Sequence, residues 1–479
     1  MPPARPTPST CSIMGEGSPT LSPSTPLPTP HLSLVEAPAA KSSRPPPAPD
    51  DSFASSLELN ELELSVLSQV TSASPRPPLH TLPALLAASP LSSLLRPLSV
   101  PLLLRSILLP PTPLPLSPSL AYDDVRGRNC DNCVGYVPLP VGCTSSELSL
   151  AVVPTEAYKG ANISVPVLAA TTEGGLIASL SRGCKALAGA NAQVAVLKDG
   201  MTRSPCLKFG SLAEAAAFCD FVQGEEGREG LRSSFDSTTS HGKFKSAVPH
   251  LVGSLVYLRV AASTGEAMGM NMVSKGVQQV LSDLLASGRF SFSVVSLSGN
   301  ACTDKKSSAV NLVEGRGKSV SAEARIPAEA VRKVLKSSAT AMARTNFYKS
   351  QIGSGISGSV GGMNAHSANI VSAVFLATGQ DPAHAVEGSM CTTVMEAATD
   401  GSGDLLVSVT MPAVCVGAVG GGTQLQAQRA CLDAMGCGGD AKRLACVVAG
   451  AVMAGEVSLI AALTEGHLVK AHMDLNRKK

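Results

Sequence analysis

The 479-residue sequence predicts a mixed α/β (α+β) fold, a large helix-rich domain with a small ferredoxin-like unit inserted into it. Three observations carry this expectation. Residues 206–292 order their patterns as β-α-β-β-α-β, the element sequence of a ferredoxin-like unit. The segments on both sides are rich in helix formers and small residues, so one larger domain continues around the insert. Finally, 26 of the 35 prolines but only two of the 43 glycines fall in residues 1–120, which separates a Pro/Ser/Leu-rich leader from a Gly/Ala/Val-rich remainder without Trp. The resulting boundaries are 1–120 for the leader, 121–205 and 293–479 for the two parts of the large domain, and 206–292 for the insert.

The leader lacks sustained periodicity and is expected not to pack a core of its own. Thr171-Thr172-Glu173-Gly174 then opens a helical pattern through Leu176, Ile177, Leu180 and Cys184. In the insert, Cys206–Phe209 reads as a short strand and Leu212–Val222 as a helix. Lys243–Val252 and Ser254–Ala262 read as paired strands, the second alternating Val256, Leu258 and Val260 against Tyr257 and Arg259. Glu266–Ser287 follows as a long helix and Phe290–Leu297 as the last strand. Beyond the insert, Ala328–Ala343 is helical, Leu405–Val409 and Val414–Val419 are strand-like, and Ala441–Met473 is a helical stretch whose apolar run is broken at Glu456 and Glu465. No transmembrane helix stands out. Residues 91–116 are interrupted by Arg96, Arg105 and prolines, and residues 350–380 and 405–428 by glycine, polar side chains or Pro412.

A net charge of +2 without a long basic run gives no case for nucleic acid. Thirteen scattered cysteines suit a reducing compartment. Cys130-Asp131-Asn132-Cys133 is a single C-x-x-C with no second pair nearby, so no metal is expected. Gly353 to Gly358 matches G-x-G-x-x-G but follows a helical segment rather than a strand, which rejects a dinucleotide fingerprint. Gly420-Gly421-Gly422-Thr423 is a glycine turn whose amides either meet a phosphate or simply turn the chain. Asp304, Lys305 and Lys306 cluster just after a strand, in a chain only 15% charged; alone, they make a solvated loop. Glu173 alone is a favourable helix-N-terminal carboxylate, His366 a core histidine, and His472 an exposed one near the chain end.

Together these residues point elsewhere. Thr171-Thr172-Glu173-Gly174, Glu266-Ala267-Met268-Gly269-Met270-Asn271, Asp304-Lys305-Lys306, Gly379-Gln380-Asp381 and Ala471-His472-Met473 occur in the chain order of one family. From about Tyr122 to Arg477 the sequence resembles the catalytic portion of the 3-hydroxy-3-methylglutaryl-coenzyme A (HMG-CoA) reductases of eukaryotic type. The resemblance implies reduction of HMG-CoA to mevalonate with two NADPH, feeding isoprenoid and sterol synthesis. It implies that Lys305 stabilises charge on the reacting oxygen, while Arg203, Ser298, Asp304 and Lys306 hold the acyl portion and its carboxylate. Glu173 is then the proton donor to the carbonyl, with its pKa raised by a buried neighbour, Asp381, and His472 protonates the departing thiolate. Lys349, His366 and Asn369 line the same pocket, and Ser179, Arg182, Lys185 and Lys336 lie near coenzyme A. By the same resemblance, 206–292 binds the nucleotide, Glu266, Met268, Gly269, Met270 and Asn271 open a helix against its pyrophosphate, and Asn476 and Arg477 close over it.

The sequence departs from the family at several of these positions. Glu266 replaces the usual Asp, and Ser240 stands where relatives generally carry Arg for the 2′-phosphate, with His241 and Lys243 nearby. Preference for NADPH over NADH therefore rests on Lys243 and Arg477. Asp131–Tyr136 resembles the subunit-contact segment E-N-V-I-G-Y with changes at Asp131 and Cys133, and the residues from Gly142 to Ser146 replace G-V-A-G-P. The family implies a homotetramer, a dimer of dimers with sites at subunit interfaces, at the cytosolic face of the endoplasmic reticulum membrane; without a span, this chain is alternatively cytosolic. The rival readings are an NADH-preferring, mevalonate-degrading relative and a non-catalytic CoA-binding one. Retention of Glu173, Lys305, Asp381 and His472 together argues against the second.

Overall fold

The computed structural model describes residues 59–75, 77–78, 81–92, 98–108, 120, 122–125 and 128–466. The first described elements lie in the leader: α1 (Glu61–Ser72), α2 (Leu82–Ala88) and α3 (Ser99–Leu108). A capping box starts α1, with the Asn60 side chain accepting the Glu63 N–H and the Glu63 carboxylate accepting the Asn60 N–H. Leu62, Val66 and Val70 bury against Leu82, Leu86 and Leu103. This corrects the expectation that the leader packs no core. Pro83 and Pro101 fall in first helical turns, where a missing N–H costs no intrahelical bond.

The main sheet follows from strands whose inward positions are Val, Leu, Ile and Ala. β1 (Val141–Cys143) pairs with β4 (Leu168–Ala170) apart from it. β2 (Leu148–Val152) pairs with β3 (Ile163–Val165) and runs parallel to the start of β5 (Gln193–Arg203). The four strands β5, β10 (Gly317–Ile326), β12 (Leu405–Val414) and β11 (Thr392–Ala397) are antiparallel neighbours in that order. Three helices pack with the last one over this sheet: α4 (Leu176–Leu187), α9 (Ser367–Ala377) and α10 (Ala441–Thr464). Close approach depends on small residues; a Cβ on Gly183 of α4 would overlap the Ala454 carbonyl of α10.

Among the described residues, α10 is long and apolar enough by length and composition to cross a membrane, which the sequence reading had not singled out; 94% of that window is buried inside the protein. A helix surrounded on all sides by other elements is apolar all round, and α10 has the composition of such a core helix.

Residues 206–296 build a second core around Phe209, Phe218, Phe235, Val256, Leu258 and Val260. The strands β6 (Cys206–Phe209), β7 (Lys243–Val252), β8 (Leu255–Ser263) and β9 (Phe292–Ser296) lie in the order β9-β6-β8-β7, all antiparallel, as in a ferredoxin-like sheet. Two helices, α5 (Leu212–Gln223) and α6 (Glu225–Asp236), stand where the sequence suggested one. The long helix α7 spans Met270–Ala286 and starts four residues later than Glu266, because Gly269 at its N-cap is left-handed (φ 87°). α8 (Ala339–Asn346) follows a π-helical turn in the region read as one continuous helix. The last three residues of β5, Met201–Arg203, leave β10 and pair with β8. One strand thus belongs to both cores and delivers Arg203 to their seam.

Candidate active site

The loop from Ser298 to Lys306 is built on backbone that L-residues avoid. Asn300, Thr303 and Lys305 have φ of 66°, 57° and 56°, conformations costing about 1–3 kcal/mol each when a surrounding structure must impose them. Asn311 anchors the stretch from Thr303 to Lys306. Its side chain receives the Thr303 hydroxyl and donates to the carbonyls of Thr303 and Lys306 at 3.2 and 3.3 Å. The result faces Asp304 toward Arg203 (3.5 Å), whose guanidinium also reaches Ser298 (3.3 Å) and Ser274 on α7 (2.9 Å). Three of the residues expected to hold a substrate carboxylate therefore meet at the seam. Lys306, the fourth, is exposed and turns its ammonium back to the Asp304 carbonyl at 3.1 Å.

Lys305 points to Asp381, with Nζ 2.8 Å from Oδ2. Asp381 caps the turn that follows it by accepting the Ala383 N–H at 3.0 Å. Burial pushes its carboxyl up, but the Lys305 ammonium, the Ala383 N–H and His384 outweigh this and hold it below the ordinary range. The same hydrogen bond, against a smaller opposing effect of burial, raises Lys305. The expectation of a buried Asp381 is thereby corrected: its side chain is 37% exposed and paired with a cation. Glu173 is exposed and accepts from Asn369 Nδ2 at 3.4 Å.

Behind this pair lies a layer that sequence reasoning missed. Glu387, fully buried, accepts from Arg316 (2.6 Å) and from the Lys305 backbone N–H (3.2 Å), and lies 2.7 Å from His384 Nδ1. Arg316, also fully buried, reaches Asp304 at 3.0 Å. One carboxylate thus fixes the Lys305 backbone and, through Arg316, Asp304. The sequence signal was Asp381-x-x-His384-x-x-Glu387, a three-residue spacing on successive helical turns. His384, Glu387 and Cys415 bring three potential metal ligands within 4.8 Å, yet the Arg316 guanidinium already sits 2.6 Å from Glu387 and 3.1 Å from Cys415. That cation takes the place a metal would occupy.

His366 stands at the N-cap of α9. Its N–H and that of Ala365 donate at 2.8 and 2.7 Å to Glu456, which α10 carries into the core, while its Nε2 is left without a partner in the protein. Ser179 and Arg182 on α4 engage Ser458 of α10, the guanidinium donating to the Ser458 carbonyl at 2.6 Å. Lys185, Lys336 and Lys349 are exposed.

A cavity of about 760 Å³ adjoins Asp381 and runs between the start of α7 and the glycine turn. A parallel bridge from Ala267 to Val419 sets these two segments side by side, so Met268–Asn271 faces Gly420–Thr423. No side chain caps α7, leaving its first-turn N–H groups for the cavity. Gly420 and Gly421 are left-handed, and a Cβ on either would meet nothing within 4 Å. Arg128 and Asn129, unforeseen from the sequence, complete the rim. Glu266 does not face this space: its carboxylate accepts the Ala441 N–H at 2.6 Å at the start of α10. Lys243 lies 3.8 Å from Asp236. His472, Asn476 and Arg477 lie outside the described residues.

The profile of the hydroxymethylglutaryl-coenzyme A reductase family matches residues 112–477. The 3-hydroxy-3-methylglutaryl-coenzyme A reductase 2 of Solanum tuberosum is 48% identical over 373 residues, 76% of this chain and 60% of that protein. The reductase 2 of Saccharomyces cerevisiae is 46% identical over 367 residues, 74% of this chain and 34% of that one. The chain thus spans about three fifths of the plant relative and a third of the yeast one. Among solved structures, a class II 3-hydroxy-3-methylglutaryl-CoA reductase from Streptococcus pneumoniae, bound to NADPH in open conformations, shares the fold with a TM-score of 0.53 at 17% identity, covering 70% of this chain and 87% of that one. By the profile match and the level of identity, this chain belongs to the hydroxymethylglutaryl-coenzyme A reductase family.

Proposed function

We propose that the chain reduces HMG-CoA to mevalonate and coenzyme A with two NADPH, feeding isoprenoid and sterol synthesis. The observation that carries this reading is the Lys305–Asp381 pair beside the Arg203–Ser298–Asp304 cluster, at the edge of a cavity with an uncapped helix N-terminus. The residues present fit a dinucleotide. A pyrophosphate needs unshared N–H donors and close backbone approach, which the start of α7 and Gly420–Gly421 supply. When bound, NADPH supplies the hydride for each reduction.

The side chains then divide the remaining work. Arg203, Ser298 and Asp304, with Lys306 at the rim, hold the acyl portion. Lys305 faces the oxygen on which negative charge develops, where a fixed cation lowers the barrier. Glu173, oriented by Asn369, gives that oxygen its proton. Ser179, Arg182, Lys185 and Lys336 attend coenzyme A, with His366 and Lys349 lining the pocket. Lys243 and Arg477 favour the 2′-phosphate, residues 206–292 form the nucleotide-binding domain, and Asn476 closes over the nucleotide. The family further supports a homotetramer with shared sites, and placement at the cytosolic face of the endoplasmic reticulum.

The test is nucleotide oxidation by the full chain with HMG-CoA, comparing NADPH and NADH; no turnover with either rejects the reading. His472→Gln sharpens it. A free thiol has a pKa near ~8.5, so a departing thiolate readily reverses unless protonated. The variant should lose thioester reduction while largely sparing reduction of added mevaldehyde, from which no sulfur departs. Equal loss of both half-reactions would make His472 structural.

A further inference from the structure

Resting on the reductase reading, we infer that His384 is a positioning residue: its imidazolium holds the Asp381 carboxylate against Lys305 from the protein side, and the neutral ring releases it. His384 is 1% exposed and touches no solvent-filled part of the site, so its effect must pass through its neighbours.

Its tautomer follows from Glu387. A carboxylate oxygen that already accepts from Arg316 at 2.6 Å and the Lys305 N–H at 3.2 Å is an acceptor, so Nδ1 at 2.7 Å is the donor. The nitrogen left to change state is Nε2, which lies 3.7 Å from Asp381 Oδ2. That same oxygen is 2.8 Å from Lys305 Nζ, while the other oxygen is committed to the Ala383 N–H. With a proton on Nε2 the ring attracts Oδ2; without it, lone pair meets lone pair.

The surroundings leave the ring as the switch. Asp304 lies 3.8 Å from Nδ1 and is held by Arg316 and Arg203. Glu387 and Asp381 are the other anions, with Arg316 and Lys305 as their cations. Cys415, in the same cluster, is neutral because burial pushes its thiol up to about 12. Three carboxylates thus face three cations, and imidazole is the side chain that changes charge across pH 5 to 8.

His384→Gln keeps an amide donor for Glu387 and presents a permanent acceptor to Asp381, imitating the neutral ring. Turnover should fall about tenfold at pH 6, since small misplacements of a reacting group are costly. It should converge with wild type at pH 8.5, and KM for the thioester should stay within roughly twofold throughout, because ground-state contacts are untouched. A pH-independent deficit, or none, overturns the inference. If the variant does not fold, ¹⁵N-histidine NMR decides: one of the chain's eight histidines should titrate at lower pH in Asp381→Asn than in wild type, and no change refutes the contact. Wild type inactive with both nucleotides would instead sink the reductase reading, with the NMR comparison still deciding the contact.

Discussion

Lys305 and Asp381 sit 2.8 Å apart with 44% and 37% of their side chains exposed. Exposed pairs contribute at most ~1 kcal/mol to stability, so the fold does not depend on this one. Asp381→Asn should therefore leave urea unfolding at pH 7 within ~1 kcal/mol of wild type while lowering turnover by roughly 10²–10³, the usual cost of disturbing a group that stabilises developing charge. The pH dependence has a fixed sign. A depressed carboxylate contributes stability above its unfolded value of ~3.9 and loses it as pH falls through the lower folded value; a raised amine contributes below ~10.4 and loses it as pH rises through the higher one. The stability advantage of wild type over the variant should be flat from about pH 8 to 9 and larger at lower pH, where the His384 imidazolium also faces the carboxylate, and an advantage that shrinks below about pH 8 would contradict the pairing. At this scale the motif residues Lys305, Asp304 and Asp381 were legible in the sequence. Arg316 and Glu387 were not, because each is recognisable only by the other, 71 positions away.

Elements were legible where periodicity was strong, as in β8 and α4, and obscure where small residues replaced it. Helix α6 carries Gly227 and Gly230, which weaken any helical reading. It forms because Leu231 and Phe235 bury, and because Gly227 lets the helix press against the Phe221 carbonyl. Gly379 makes a similar contact in the site. It is left-handed (φ 68°), and a Cβ there would overlap the Gly422 carbonyl, so the strand-free segment carrying Asp381 rests directly on the glycine turn. Gly379→Ala should destabilise by about 1–3 kcal/mol and raise KM for the nucleotide. Gly401→Ala is the control: equally left-handed (φ 79°) but with nothing within 4 Å of its Cβ, it should lower stability alone. Matching KM values in the two variants would show that the turn does not shape the cavity.

At the scale of the whole molecule, the leader's helices form their own core, against which Val134 packs, five residues beyond the cavity-lining Asn129. A chain beginning at residue 111 should keep nucleotide oxidation within about twofold, yet melt about 2–4 °C lower for each ~1 kcal/mol of packing that Val134 loses. Loss of activity would mean that these helices shape the site itself. This core was illegible because proline content predicts a lack of donors without revealing that some prolines occupy first turns. The position of α10 in the chain carries one more consequence. It is the last described helix, and it packs on β2, β5, β10 and β12, which a ribosome releases earlier. At ~5–20 residues per second, the interval between completing β5 and completing α10 is roughly 15–50 s. Throughout that time the sheet lacks the cover that α10 gives it, and Glu456 has not arrived to hold the loop at His366. Synthesis is therefore expected to pass through an intermediate with exposed apolar surface, and soluble yield should rise when chaperones that shelter nascent chains are supplied.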